Sequence, residues 1–171
     1  VLTAAREDLI KRTVEALKGV KRAIVHVYIA TSELHMKYVF GKEGAQVKET
    51  AVSSVKLVKH LAATELAGGD IGFEFSPEEF TDGDLLFNVE VCDAVVEAWD
   101  ATPERKVILN LPATVERRPP NHYADMIEEF VRQQKHNDSS IISVHAHNDM
   151  GCAVAATEMT LLAGAERVEG T

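Results

Sequence analysis

The chain has 171 residues, 46% hydrophobic and 26% charged, which is the balance of a globular domain and excludes a disordered, collagenous or disulfide-dense chain. With 18 basic and 27 acidic side chains the formal net charge is −9, which argues against nucleic acid or an anionic membrane surface as partner. No apolar run reaches the ~18 residues of a membrane span, no signal peptide is recognisable, and Cys92 and Cys152 lack disulfide or zinc spacing, so a reducing compartment is expected.

In chain order, Thr3 predicts the cap of a first helix running to Gly19, with Leu9, Ile10, Val14 and Leu17 on one face. Residues 23–28 read as a short buried strand. From Gly44 to Leu66, Val47, Ala51, Val55, Val58 and Ala62 recur at three or four positions, the stripe of a long amphipathic helix stopped by Gly68 and Gly69. Residues 71–75 follow as a second strand. Thr81, with Asp84 three positions on, predicts a capping box for a helix burying Leu85, Val89, Cys92, Val96 and Trp99. Residues 106–111 form a third strand, and Asn121 is expected to cap a helix carrying Tyr123, Ile127, Phe130 and Val131. Residues 141–145 form a fourth strand, Met150 to Ala163 a helix capped by Asp149, and Arg167 to Gly170 the start of another strand.

Strict alternation of helices with continuously apolar strands predicts a parallel sheet covered by helices. A doubly wound sheet usually shows a glycine-rich phosphate turn after a strand, and neither G-x-G-x-x-G nor a Walker sequence is present. A β/α barrel instead places its chemistry at the C-terminal ends of several strands. Four strands here end in polar residues: His26-Val27-Tyr28, Ser76-Pro77-Glu78, Pro112-Ala113-Thr114 and His145-Ala146-His147. Residues two apart on a strand share a face, so these pairs converge if that face is the barrel mouth.

His145 and His147, followed by Asn148 and Asp149, have the donors and spacing to share a divalent ion. Two hydrogen-bonded histidines near a helix start would give the same motif, and the three companion strand ends favour the metal. Glu78 is the candidate carboxylate for orienting water or moving a proton. His26, Tyr28 and Thr114 carry donors suited to a carboxylate or carbonyl. Glu74 lies deeper and is expected in a structural ion pair. Glu79, His35, His60, His122, His136, the Glu104-Arg105-Lys106 stretch and Arg117-Arg118 are expected to be solvated.

These segments, with Thr31-Ser32, Phe73-Glu74-Phe75, Asn110-Leu111-Pro112-Ala113-Thr114-Val115-Glu116, Pro120-Asn121, Tyr123-Ala124-Asp125 and Val168-Glu169-Gly170, resemble the 2-isopropylmalate synthase family over essentially the whole chain. The His-x-His-Asn-Asp element alone resembles the wider group of metal-dependent Claisen-type synthases and lyases. The segment from Asn110 to Glu116 is narrower and resembles the long form of isopropylmalate synthase.

The resemblance implies an α/β fold, an incomplete (β/α)8 TIM barrel running from about the end of strand 3 to the start of strand 8. It implies condensation of acetyl-CoA with 2-oxoisovalerate to 2-isopropylmalate and CoA, the committed step toward leucine, assisted by Mg2+, Mn2+ or Zn2+. By the same resemblance His145 and His147 hold the metal, His26, Tyr28, Ser76, Pro112 and Thr114 line the oxo-acid pocket, and Glu78 belongs to the acid/base network. The family's Arg-Asp first strand, its Gly-Asn-Gly-Glu segment, linker and C-terminal regulatory domain have no counterpart here. The intact parent is expected to be a homodimer, cytoplasmic in a bacterium or mitochondrial in a fungus.

Homocitrate and citramalate synthases differ in the oxo acid they accept. Amidohydrolase barrels also use a His-x-His pair, but on their first strand. A purely structural or interaction fragment is the non-enzymatic alternative. Strand ends recur about every 33 residues, so eight units need roughly 265 against the ~250 of a typical barrel. The missing initial methionine and the abrupt ends at Val1 and Thr171 predict a partial barrel with two unpaired edges, inactive in isolation.

Overall fold

The apolar runs rich in β-branched and aromatic residues form the strands of the computed structural model, which describes residues 1–170. The strands are β1 (Leu2–Ala4), β2 (Arg22–Ala30), β3 (Asp70–Glu78), β4 (Val107–Ala113), β5 (Ser140–Ala146) and β6 (Arg167–Val168). Between them run α1 (Glu7–Ala16), α2 (Gly44–Glu65), α3 (Leu85–Trp99), α4 (Pro120–Gln133) and α5 (Ala153–Leu162). Thr171, expected to extend the last strand, lies outside the described residues.

Each strand pairs in parallel with its predecessor, giving the order β1-β2-β3-β4-β5-β6. A doubly wound sheet reverses its order at a switch point; this one does not, and each helix packs on the next. The winding is that of a β/α barrel. Among the described residues β1 and β6 are edges, so the barrel is not closed. No described helix is long and apolar enough to cross a membrane.

Alternation along the strands sorts the side chains. Val25, Val27, Phe73, Phe75, Leu109, Leu111, Ile142 and Val144 are buried against the helix layer, where they meet Ile10, Val47, Val55, Val58, Val95, Ile127 and Phe130. Phe73 stacks on Trp99 at 4.7 Å between ring centroids, and Phe80 meets Phe130 edge-on at 5.7 Å. The opposite parity carries His26, Glu74, Ser76, Asn110, Ser143 and His145, polar residues that are buried or half-buried on the other face of the sheet.

Four expected caps are corrected. Thr3 belongs to β1, because the run at residues 2–4 pairs with residues 26–28; α1 begins only at Glu7, after extended Arg6. Residues 80–82 form a 3-10 turn of their own, so the cap of α3 is Asp84, whose Oδ1 accepts from the Phe87 amide at 2.8 Å, and not Thr81. Asn121 lies inside α4, which starts at Pro120, where a fixed φ and a missing N–H cost nothing. α5 begins at Ala153, and the Ala153 amide donates to Asn148 Oδ1 at 3.1 Å, leaving Asp149 free for another contact. A π-helical turn, His35–Phe40, also escapes the periodicity. Arg105 is not simply solvated: its guanidinium donates to the Ile71 carbonyl at 3.1 Å beside the Trp99 ring.

Candidate active site

The parallel register brings the polar ends of β2 to β5 side by side on that other face. His26 lies opposite Glu74, Tyr28 opposite Ser76, and Pro112 opposite His145. His26 Nε2 is 2.7 Å from Ser76 Oγ, which also accepts from Asn110 Nδ2 at 3.0 Å. Burial lowers the pKa of His26 to about 4, so its imidazole is neutral at physiological pH.

Thr114 follows the last residue of β4 and connects three groups. Its hydroxyl donates to Glu78 Oε1 at 2.8 Å and accepts from the Glu79 amide at 2.9 Å. Its carbonyl is hydrogen-bonded by Nδ1 of His147, whose backbone N–H in turn donates to the Ala113 carbonyl at 3.3 Å. A carbonyl only accepts, so Nδ1 carries the proton and the Nε2 lone pair of His147 is left available. The His145 and His147 rings stand edge to face with centroids 4.9 Å apart. Burial, reinforced by His147, holds His145 below its ordinary value, keeping its lone pair available too. Two adjacent imidazoles, one oriented by a backbone carbonyl through Nδ1, suit a divalent ion.

A second group, His26, Glu74 and Glu169, has ligand atoms within 4.8 Å of one another. Arg167 already supplies the positive charge there: its Nη1 lies 3.2 Å from Glu74 Oε1 and also bonds Glu169. Burial and the neighbouring Glu169 push Glu74 upward. Burial pushes Glu169 the same way, but hydrogen bonds from Glu74 and Ser143 outweigh it and hold that carboxyl down. Arg167 bridges the two carboxylates. Glu74 thus has the ionic partner expected of it.

All eight site residues expected from sequence lie at these strand ends, and contacts join six of them in two groups, His26 with Ser76 and Glu78 with Thr114, His147 and His145, while Tyr28 is the register neighbour of Ser76. Pro112 contributes as the register neighbour of His145. Asn110 was missed, although it sits two residues before Pro112 and the same parity rule reaches it. Glu79 is a correction: it is 8% exposed, adopts a left-handed φ of 59°, accepts from the Ser32 hydroxyl and lies 2.5 Å from His35 Nδ1, so neither it nor His35 is merely solvated. Glu116 and Asp149 bond across two loops, a contact the sequence did not signal: Asp149 was expected only as a helix cap and Glu116 only as the end of a motif. The cleft between α1 and α2 is lined by surface charges such as Lys11 and Glu65, away from this face.

The HMGL-like family model matches residues 1–171. The chain is 57% identical over 170 residues to a 2-isopropylmalate synthase of Pseudomonas fluorescens, 56% to one of Pseudomonas savastanoi pv. phaseolicola and 52% to one of Ralstonia pickettii. Each match covers 99% of this chain and 30% of the relative, so the chain spans about 30% of the length of these curated proteins.

Proposed function

We propose, from the premise that this chain belongs to the HMGL-like family, that as part of a longer enzyme it condenses acetyl-CoA and 2-oxoisovalerate, with water, to 2-isopropylmalate and free CoA. The observation that carries the reading is the pair of adjacent imidazoles, His145 and His147, beside the Glu78-Thr114 hydrogen bond in a chain 57% identical to a protein of that name.

A divalent ion held by His145 and His147, whether Mg2+, Mn2+ or Zn2+, would supply Lewis acidity toward the ketone of the oxo acid. The chain's own groups do the rest. Neutral His26, hydrogen-bonded to Ser76, together with Tyr28, Pro112 and Thr114, forms the wall against which the oxo acid is oriented. Glu78 moves a proton in the acid/base network, and the Thr114 hydroxyl fixes which carboxylate oxygen is free to do so. The acyl-CoA substrate fits a cytoplasmic bacterial parent, and the unpaired edges β1 and β6 fit a barrel completed by further strands. We read the parent as a homodimer. The isolated chain is expected to be inactive, because a barrel left open between the edges β1 and β6 lacks the strands that would complete the site.

Thiol release from acetyl-CoA by the full-length enzyme, with a panel of 2-oxo acids and added metal, tests this. Release with 2-oxoisovalerate in preference to pyruvate and 2-oxoglutarate is expected. Preference for 2-oxoglutarate would indicate a homocitrate-type enzyme and for pyruvate a citramalate-type one, and either would overturn the substrate assignment. No release with any acid would overturn the reaction.

A further inference from the structure

We propose that Glu116 is a positioning residue: its carboxylate clasps the loop that follows His147 and so sets the geometry of the His145 and His147 pair. The inference rests on the metal-binding reading of that pair. Glu116 is 6% exposed although it lies in a loop, and a buried carboxylate is costly unless its oxygens are satisfied. Both are. One oxygen accepts from the Met150 amide and the other from the Cys152 amide at 2.9 Å, while the Glu116 amide donates to Asp149 Oδ2 at 2.8 Å.

The two accepted amides flank Gly151, whose φ of 79° turns the backbone so that both N–H groups converge on one carboxylate. They belong to the segment just before α5, where unpaired amides precede a helix. The bond is therefore reciprocal, with each loop giving an acidic side chain to the other's backbone. On the near side of His147, the Ala113 and Thr114 carbonyls hold its amide and its Nδ1. The end of β4 and the loop that follows it, residues 113 to 116, thus grip His147 from both flanks, and the same segment binds Glu78 through the Thr114 hydroxyl. Releasing the far flank lets the metal-binding lone pairs lose alignment, although Glu116 touches neither metal nor substrate.

The test is Mn2+ binding by the full-length enzyme, followed by electron paramagnetic resonance, with the Co2+ absorption band as a second signature and folding checked by circular dichroism. Glu116→Ala is expected to weaken Mn2+ binding about 10- to 100-fold, the range seen when a residue orienting a ligand is lost. Its kcat should recover partly at saturating metal. Glu116→Gln, which keeps one acceptor oxygen, should fall between; Asp149→Ala should weaken binding, and Asp149→Asn, which still accepts from the Glu116 amide, should restore it. A folded Glu116→Ala variant with wild-type Mn2+ affinity and an unchanged Co2+ band would overturn the clasp. If that variant does not fold, wild-type affinity in both Glu116→Gln and Asp149→Ala would do so. Wild-type enzyme that binds no Mn2+ would overturn the metal reading itself, and the clasp with it.

Discussion

Adjacent Glu78 and Glu79 meet opposite fates because the backbone reverses between them. Left-handed φ at Glu79, which costs a non-glycine residue about 1 kcal/mol or more, turns that carboxylate toward Ser32 and His35 while Glu78 stays at the strand end. Thr114 holds both, accepting from the Glu79 amide and donating to Glu78. Thr114→Val is therefore expected to cost about 1–3 kcal/mol by leaving that amide unpaired, and to lower kcat, while Thr114→Ser retains most of both. Urea denaturation and steady-state kinetics on the pair of variants check it. His26 gives a pH prediction. Its folded pKa of about 4 lies below the ~6.5 of an unfolded histidine, so the unfolded chain binds the extra proton between those values. Stability should thus be unaffected by this group above pH ~6.5 and fall by up to about 3 kcal/mol as pH drops toward 4. Urea midpoints from pH 7 to 4 should lose much of that slope in His26→Phe. Individual donors were legible at strand ends because parity is strict there. Glu116 was not, since a loop carboxylate looks alike whether it meets water or two amides.

At the scale of elements, strand and helix interiors were legible and their ends were not. The interiors of β2 to β5 are apolar runs. β2 and β3 nonetheless extend past Tyr28 and Phe75 to Ala30 and Glu78, because the parallel pairing of these two strands continues through Ile29-Pro77 and Ala30-Glu78. Helix starts failed for a related reason: a cap is defined by backbone geometry that a turn such as Phe80–Asp82 or a proline such as Pro120 can displace by several residues. The assignment of Asp84 as the cap of α3 is checked by Asp84→Ala, expected to cost about 1 kcal/mol, with Thr81→Val costing less. Phe73→Ala, which empties a fully buried site stacked on Trp99, should cost about 3–5 kcal/mol. Both are read from denaturation midpoints.

The whole molecule is a one-way wound sheet with helices on one side and polar strand ends on the other. That architecture was legible because alternation and the absence of a glycine-rich turn together leave few alternatives. The consequence of an open sheet shows in the exposure of Leu2 and Ile24, at 59% and 36%, on the face a closed barrel would fill. On the proposed function, chemistry on this face depends on His145 and His147 acting together with Glu78. The most direct measurement is metal-stimulated thiol release from acetyl-CoA and 2-oxoisovalerate by full-length enzyme carrying both His145→Ala and His147→Ala. Loss of Mn2+ binding and of metal-stimulated release, in a variant that remains folded, is the expected result. Retention of both bound metal and turnover would contradict the assignment.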